Sequence, residues 1–324
     1  MNLKKVVSFS GGRTSAYLCK LMIDTYGKEN VDFVYMDTGA EHSKTYEFIR
    51  KVNDEFGLNL ICLRGDFTRP LGDGVGYNVV NIDSIKPDLI PFKGMLSKYG
   101  VPYIGGMFCT DRMKLKPFKK YCDDTYGKKN YETWLGIRED EPKRLTPKPF
   151  IKYMAAISDF DKQDVLNWWS QMPFDLDLNE WSGNCEFCPK KSNLKLAASQ
   201  RDSSESYINF INMLHDDSVR VVDSRTIAYM ISIGVKDYNV LCKPLSSKKL
   251  LISVIQYNSK LFTRDNPKWP YYEEMANLKM YRGKQSLESL IAKFDGSTGE
   301  EIKARIRGGK MIDTNSCSES CEVF

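Results

Sequence analysis

The stretch Val6-Val7-Ser8-Phe9-Ser10-Gly11-Gly12-Arg13-Thr14-Ser15-Ala16-Tyr17-Leu18 constrains the chain more than any other. Two β-branched residues lead into a turn of small residues, and an apolar-periodic segment then runs to Gly27. That pattern predicts a strand, a tight loop and a helix. Gly11 and Gly12 can adopt backbone angles closed to other residues, and they let an anion approach the main chain. The unpaired N–H groups of the helix's first turn, at the positive end of its dipole, face that anion. Two better-known loops are excluded. GxxxxGK[ST] needs a Lys where Arg13 precedes Thr14, and GxGxxG is absent. Ser8, Ser10, Gly11, Gly12, Arg13, Thr14 and Ser15 are therefore candidate phosphate-binding residues. The bland alternative is an ordinary strand-to-helix turn.

Val31–Met36 repeats the buried-strand pattern and ends in Asp37-Thr38-Gly39-Ala40-Glu41-His42. Lys44–Phe56 has helical spacing and stops at Gly57, and Asn59–Arg64 makes a third strand. Alternating strands and helices imply right-handed crossovers, hence an α/β fold: a doubly wound parallel sheet with helices on both faces. In such a sheet ligands bind outside the carboxyl ends of the strands. The first loop and the Asp37-Thr38-Gly39 loop both lie there, so they should converge on one site. The length of 324 residues allows this core plus a second region. No apolar run approaches the roughly 18 residues of a membrane helix. With a mean hydropathy of −0.43 and no signal-peptide pattern, the chain is expected to be cytoplasmic, without membrane contact. Its nine cysteines should then be reduced, metal-bound or catalytic. A net charge of +5 suits a polyanionic ligand without demonstrating a nucleic-acid partner.

These segments resemble a known family. SFSGGRTS is similar to the pyrophosphate loop (SGGxxS) of the adenine nucleotide alpha hydrolase-like enzymes. MDTGAEHSKTYEF resembles the DTGxxxPETYxF signature of phosphoadenosine phosphosulfate (PAPS) reductases, with Ser43-Lys44 replacing Pro-Glu. Trp134–Arg144, containing Gly136, Arg138, Glu141 and Arg144, is similar to that family's GxRxxExxxR segment. Physically, Tyr131–Leu135 reads as a strand whose loop presents two guanidinium forks suited to phosphate or sulfate. An isolated charged loop is more often merely solvated. Asp159 or Asp161 caps a helix over Lys162–Met172, which resembles the family's DWTxxDVWxxI stretch and whose tryptophans read as core. The resemblance spans about residues 4–200. It implies an adenine nucleotide, ATP or PAPS, bound by the loop residues above with Asp37, Thr38, Gly39, Gly136, Arg138, Glu141 and Arg144.

Cys185-Glu186-Phe187-Cys188 is half of a metal site. Iron–sulfur sulfonucleotide reductases hold a 4Fe–4S cluster with a Cys-Cys pair and a later CxxC. This chain resembles that plan with Cys109 alone, because Thr110 stands where the second cysteine of the pair would be. Cys109, Cys185 and Cys188 are thus the expected ligands of an iron–sulfur cluster, with Cys122 or Cys242 able to complete four. Zinc is the competing metal. Cys19 and Cys62 read as core. Arg112, Lys114 and Lys116 either line a basic groove beside the cysteines or form the polar face of a helix.

Three regions follow: 1–200 for the nucleotide and metal, 201–310 mostly helical, and a mobile tail, 311–324, bearing Cys317 and Cys321. PAPS reductases attack sulfur with a cysteine near a flexible C-terminus, so the resemblance gives these two a catalytic role, although the family's Glu-Cys-Gly-Leu-His motif is missing. Two dispensable thiols are the plain alternative. Three function classes remain. One is a sulfonucleotide reductase-like enzyme served by a thiol reductant protein. The second is ATP-dependent, adenylating thiolation of a nucleic acid. The third is a non-catalytic metal- and nucleotide-binding protein.

Overall fold

The computed structural model describes residues 3–70, 73–102, 108–216, 218–219, 281 and 285–308. Cys317, Cys321, Cys242 and most of the region between 220 and 284 lie outside the described residues.

Six strands form one sheet in the order β4-β3-β2-β1-β5-β6. They are β1 Lys4–Phe9, β2 Val31–Met36, β3 Ile61–Asp66, β4 Gly76–Val80, β5 Tyr131–Leu135 and β6 Ile151–Tyr153. Every pairing is parallel except β3 with β4, which makes β4 an antiparallel edge. The period-two pleat sends alternate residues to opposite faces, and both faces are buried. Val7, Phe9, Phe33 and Tyr35 pack under α1 (Arg13–Tyr26) and α2 (Ser43–Phe56). Val6, Val34, Met36 and Leu63 pack against Phe118 and Cys122 of α4 (Lys116–Tyr126) on the other side. The sheet is doubly wound, as the spacing implies. Cys122 is fully buried in that second core, beside Phe118 and against the sheet.

The first connections run β1 to β2 to β3 in one direction, and the chain then returns to place β5 on the opposite side of β1. That reversal makes a topological switch point between β1 and β5, where a crevice opens at the strand ends. The loops after β1 and β5 meet at this reversal.

Helix boundaries follow local chemistry. Gly57 ends α2 in the left-handed conformation at φ 57°. Asp161, not Asp159, caps α5 (Lys162–Trp169), in a capping box with Asp164. Trp169 is fully buried and donates from Nε1 to the carbonyl of Arg13 at 3.0 Å, tying α5 to the first loop. Two elements carry no clear signal in the sequence: β4 and α3 (Ile90–Tyr99), the latter holding Pro91 and Gly94.

The described residues of the helical C-terminal region pack on the cysteine segment and α3. α6 (Asn193–Asp202) crosses residue 200, where the sequence suggested a boundary. Phe187 and Leu196 share a core with Phe92, with Phe210 of α7 (Ser204–Leu214) and with Leu287. Ala197 and Ala198 pack with Trp181 and Ile302. Among the described residues no helix is long and apolar enough to cross a membrane.

Candidate nucleotide and cysteine site

The first loop is held by its own serines. Ser15 Oγ accepts from the Ser10 amide at 3.2 Å, lies 2.8 Å from Ser10 Oγ and donates to the Gly12 carbonyl at 3.0 Å. Gly11 stands at φ 81°, and a Cβ there would sit 3.0 Å from Ile49 Cδ1, so both backbone and packing require glycine. Gly12 occupies the N-cap of α1 with no side-chain cap. The helix's first-turn amides therefore lie at a cavity of about 260 Å³ lined by Ser10, Gly11, Gly12, Arg13 and Thr14, with Glu41, Thr45, Lys114 and Lys162 opposite. Ser8 is buried within β1, beneath that lining.

Arg13 does not project freely into the cavity. Its guanidinium forks onto Asp175 at 2.6 and 2.9 Å and also donates to the Leu176 carbonyl. Thr14 accepts from the buried Arg138 at 3.1 Å, which joins the loop after β5 to the first turn of α1 across the switch point. Arg138 also forks onto Asp140 at 2.8 and 3.3 Å, and Arg144 pairs with Glu141 at 2.5 Å. Gly136 lies in the tight turn where the Ile137 amide bonds the Leu135 carbonyl at 2.8 Å. The two arginines, Glu141 and Gly136 thus stand behind the first loop, outside the lining of the cavity.

The Asp37-Thr38-Gly39 loop is an internal organiser. Asp37 is only 1% exposed and accepts from the Gly39 amide at 2.9 Å, from Tyr46 at 3.1 Å and from Arg64 at 2.6 Å. Its carboxylate lies below the crevice that the sequence had it facing. Burial, with repulsion from Glu41, raises its pKa to about 6, outweighing the Arg64 ion pair. Gly39 is at φ 69°, and a Cβ would meet Pro91 Cδ at 2.8 Å, so α3 comes close only because glycine is there. Thr38 donates to Glu41 Oε2 at 2.5 Å, which also accepts from Tyr46 at 3.0 Å.

This loop carries the cysteine motif. Asn184 takes a left-handed backbone, φ 56°, which Asn tolerates better than most residues. The chain then pairs Cys185 with Glu41 as an antiparallel bridge, and the Glu186 amide donates to the Ala40 carbonyl at 3.0 Å. Cys185 Sγ lies 3.9 Å from both Thr38 Oγ1 and Glu41 Oε1. Cys109 begins a π-helical stretch, Thr110–Leu115, in which the Lys116 amide reaches back five residues to Asp111. Cys109, Cys185 and Cys188 line one small cavity of about 30 Å³, together with Thr38, Thr110, Lys114 and Lys191. Lys191 is buried, donates to the carbonyls of Trp181 and Glu186 at 2.5 and 2.9 Å, and is pushed down by burial to about 8. Among the described residues, no three His, Cys, Asp or Glu side chains converge as a single metal ion requires. Cys19 and Cys62 sit in the sheet core with burial pushing both thiols up, Cys62 to about 12.

The basic run after Cys109 splits. Arg112 and Lys116 pair with Asp111, at 2.6 and 3.6 Å, whereas buried Lys114 reaches Glu41 at 3.5 Å. Lys114 and Asn184 line both cavities, so the cysteines and the first loop form neighbouring halves of one site. Asn184, Lys162 and the segment Leu176–Glu180 escaped the sequence reading. The alternation Asp175-Leu176-Asp177-Leu178 was the signal available for the last.

The phosphoadenosine phosphosulfate reductase domain family matches residues 4–68, which cover β1 to β3 and both first loops. Over its whole length the chain is similar to a nin region protein, ORF290, of Escherichia phage lambda: 41% identity across 98% of this chain and 94% of that one. Two Methanocaldococcus jannaschii proteins are each 27% identical, over 166 and 117 residues, covering 51% and 35% of this chain and 29% and 21% of theirs. The chain belongs to the same family as the lambda nin region protein, and its residues 4–68 form a phosphoadenosine phosphosulfate reductase domain match.

Proposed function

We propose that this protein is an enzyme of sulfur chemistry that binds an adenine nucleotide, ATP or PAPS, on its first loop beside a cysteine-held iron–sulfur cluster. The observation that carries the reading is the sharing of Lys114 and Asn184 between the loop cavity and the cysteine cavity. A group at the end of a bound nucleotide's phosphate chain would thereby meet the cysteines. The first-turn amides of α1 and the Ser10 hydroxyl hold phosphate, Lys114 and Lys162 neutralise it, and Arg138 stiffens the helix start through Thr14.

The donor set suits a multi-iron centre. Three thiols surround one cavity with Lys114, Lys190 and Lys191 in its wall, and ammonium groups favour an anionic thiolate centre. When bound, such a cluster supplies a polarising, sulfur-rich surface next to the nucleotide. The helices packed on Phe187 and Leu196 shield that side from water.

Sulfonucleotide reduction is the first form of this reading, with a tail cysteine, Cys317 or Cys321, attacking sulfur and a thiol protein as reductant. Nucleic-acid thiolation driven by ATP is the second. It is favoured by Thr110 in the cavity wall beside Cys109, because a three-cysteine centre keeps one position open for sulfur.

The test is anaerobic purification with iron, zinc and acid-labile sulfide analysis, then calorimetry with ATP and PAPS, then assays for sulfite and pyrophosphate. Cys109→Ser, Cys185→Ser and Cys188→Ser should each bleach the visible absorption, while Cys19→Ser and Cys62→Ser should not. Stoichiometric zinc without iron or sulfide would refute the cluster.

A further inference from the structure

We infer that the strap Asp175–Leu178 forms the nucleobase subsite of the loop cavity; this rests on the nucleotide reading above. The four residues alternate Asp-Leu-Asp-Leu, and their exposure alternates with them: both aspartates are exposed and both leucines half-buried. Consecutive short turns hold the alternation, with the Asp177 amide on the Asp175 carbonyl at 3.1 Å and the Leu178 amide on the Leu176 carbonyl at 2.8 Å. The strap therefore has two chemically distinct edges. Leu176 and Leu178 line the cavity with Val165 and Leu166 of α5. Asp175 and Asp177 point to cations that flank the first loop, Arg13 at 2.6 Å and Lys44 at 2.5 Å.

Four aliphatic side chains have no use for phosphate, which is already provided for by the loop amides, Lys114 and Lys162 on the same cavity. They suit the flat, weakly polar face of a base, and Asn179 in the same wall offers an amide to its edge. The Arg13 fork ties the strap to the start of α1 and so holds the apolar wall in place. Its two parallel bonds fix orientation as well as distance. Asp177 is 92% exposed, so Lys44 adds little to the hold.

The experiment compares calorimetric affinity for ATP and PAPS with that for inorganic tripolyphosphate, which lacks the base. In Leu176→Ala/Leu178→Ala, the affinity for whichever nucleotide the native protein binds should fall about tenfold or more, from the apolar contact area removed. Tripolyphosphate affinity should stay within about twofold, because the loop amides are untouched. Asp175→Asn, a surface change that spares the core, should speed nucleotide dissociation in stopped flow without altering tripolyphosphate binding. Equal losses for nucleotide and tripolyphosphate, or no loss for either, would overturn the base subsite and leave the nucleotide reading standing. A native protein that binds tripolyphosphate as tightly as the nucleotides would do the same. A native protein that binds no nucleotide at all would overturn both.

Discussion

Asp37 carries a charge at a cost that a titration can measure. It is fully enclosed, and its pKa stands at about 6 in the folded chain against an ordinary 3.8, chiefly through burial and then through Glu41. The Arg64 guanidinium at 2.6 Å recovers only part of that loss. Folded protein therefore binds more protons than unfolded protein between about pH 4 and 6, so this group's contribution is full below pH 4 and is lost as pH rises through 6. The difference corresponds to about 3 kcal/mol, an order-of-magnitude figure. Asp37→Asn keeps the shape and the acceptor for the Gly39 amide but never ionises. Urea unfolding of both proteins from pH 4 to 8 should show the variant gaining on the native chain by up to about 3 kcal/mol across that window. Nucleotide affinity of the folded variant should change little, since the carboxylate lies outside the cavity lining. A stability difference that stays flat with pH, or one in which the native chain gains as pH rises, would show that Arg64 outweighs burial and refute the reasoning.

Three further outcomes follow from the geometry. Gly11→Ala should cost about 1–3 kcal/mol in thermal or urea melts, from its φ of 81° and a Cβ pressed to 3.0 Å of Ile49. Thr14→Val removes the acceptor of buried Arg138 and should cost about 1–3 kcal/mol in the same melts, with weaker nucleotide binding by calorimetry. Lys44→Ala should stay within about 0.5 kcal/mol of the native protein in urea melts, because its partner Asp177 is exposed.

The sheet was legible because both of its faces are buried. Val6 and Val7, or Val34 and Tyr35, are apolar in succession, and only a strand covered by helices on each side has that pattern. β4 was not legible for the opposite reason. As an edge strand it leaves Val79 at 61% exposure, and Gly-Tyr-Asn-Val-Val has neither a buried run nor a clean alternation. α3 was hidden by Pro91 and Gly94, yet Pro91 falls in its first turn, where the missing N–H costs nothing. Its position is set by the close approach of Gly39, a tertiary effect with no local signature.

The site was legible in residue type and less so in orientation. Motif spacing identified Asp37, Arg13 and Arg138, but whether a charged side chain faces a ligand or a neighbour depends on what the fold brings beside it. Arg64 of β3 and Tyr46 of α2 occupy Asp37, a residue of the strap occupies Arg13, and Thr14 and Asp140 occupy Arg138. Lys114 shows the converse. Its neighbours Arg112 and Lys116 are drawn to Asp111, while Lys114 turns inward to Glu41. Residues two apart on a helix face opposite sides, so the helix that turns Arg112 and Lys116 outward to Asp111 turns Lys114 inward, between the first loop and the cysteines. What the spacing could not give is which of the two faces meets Glu41, because that is set by the packing of the Thr110–Leu115 turn against the Asp37-Thr38-Gly39 loop.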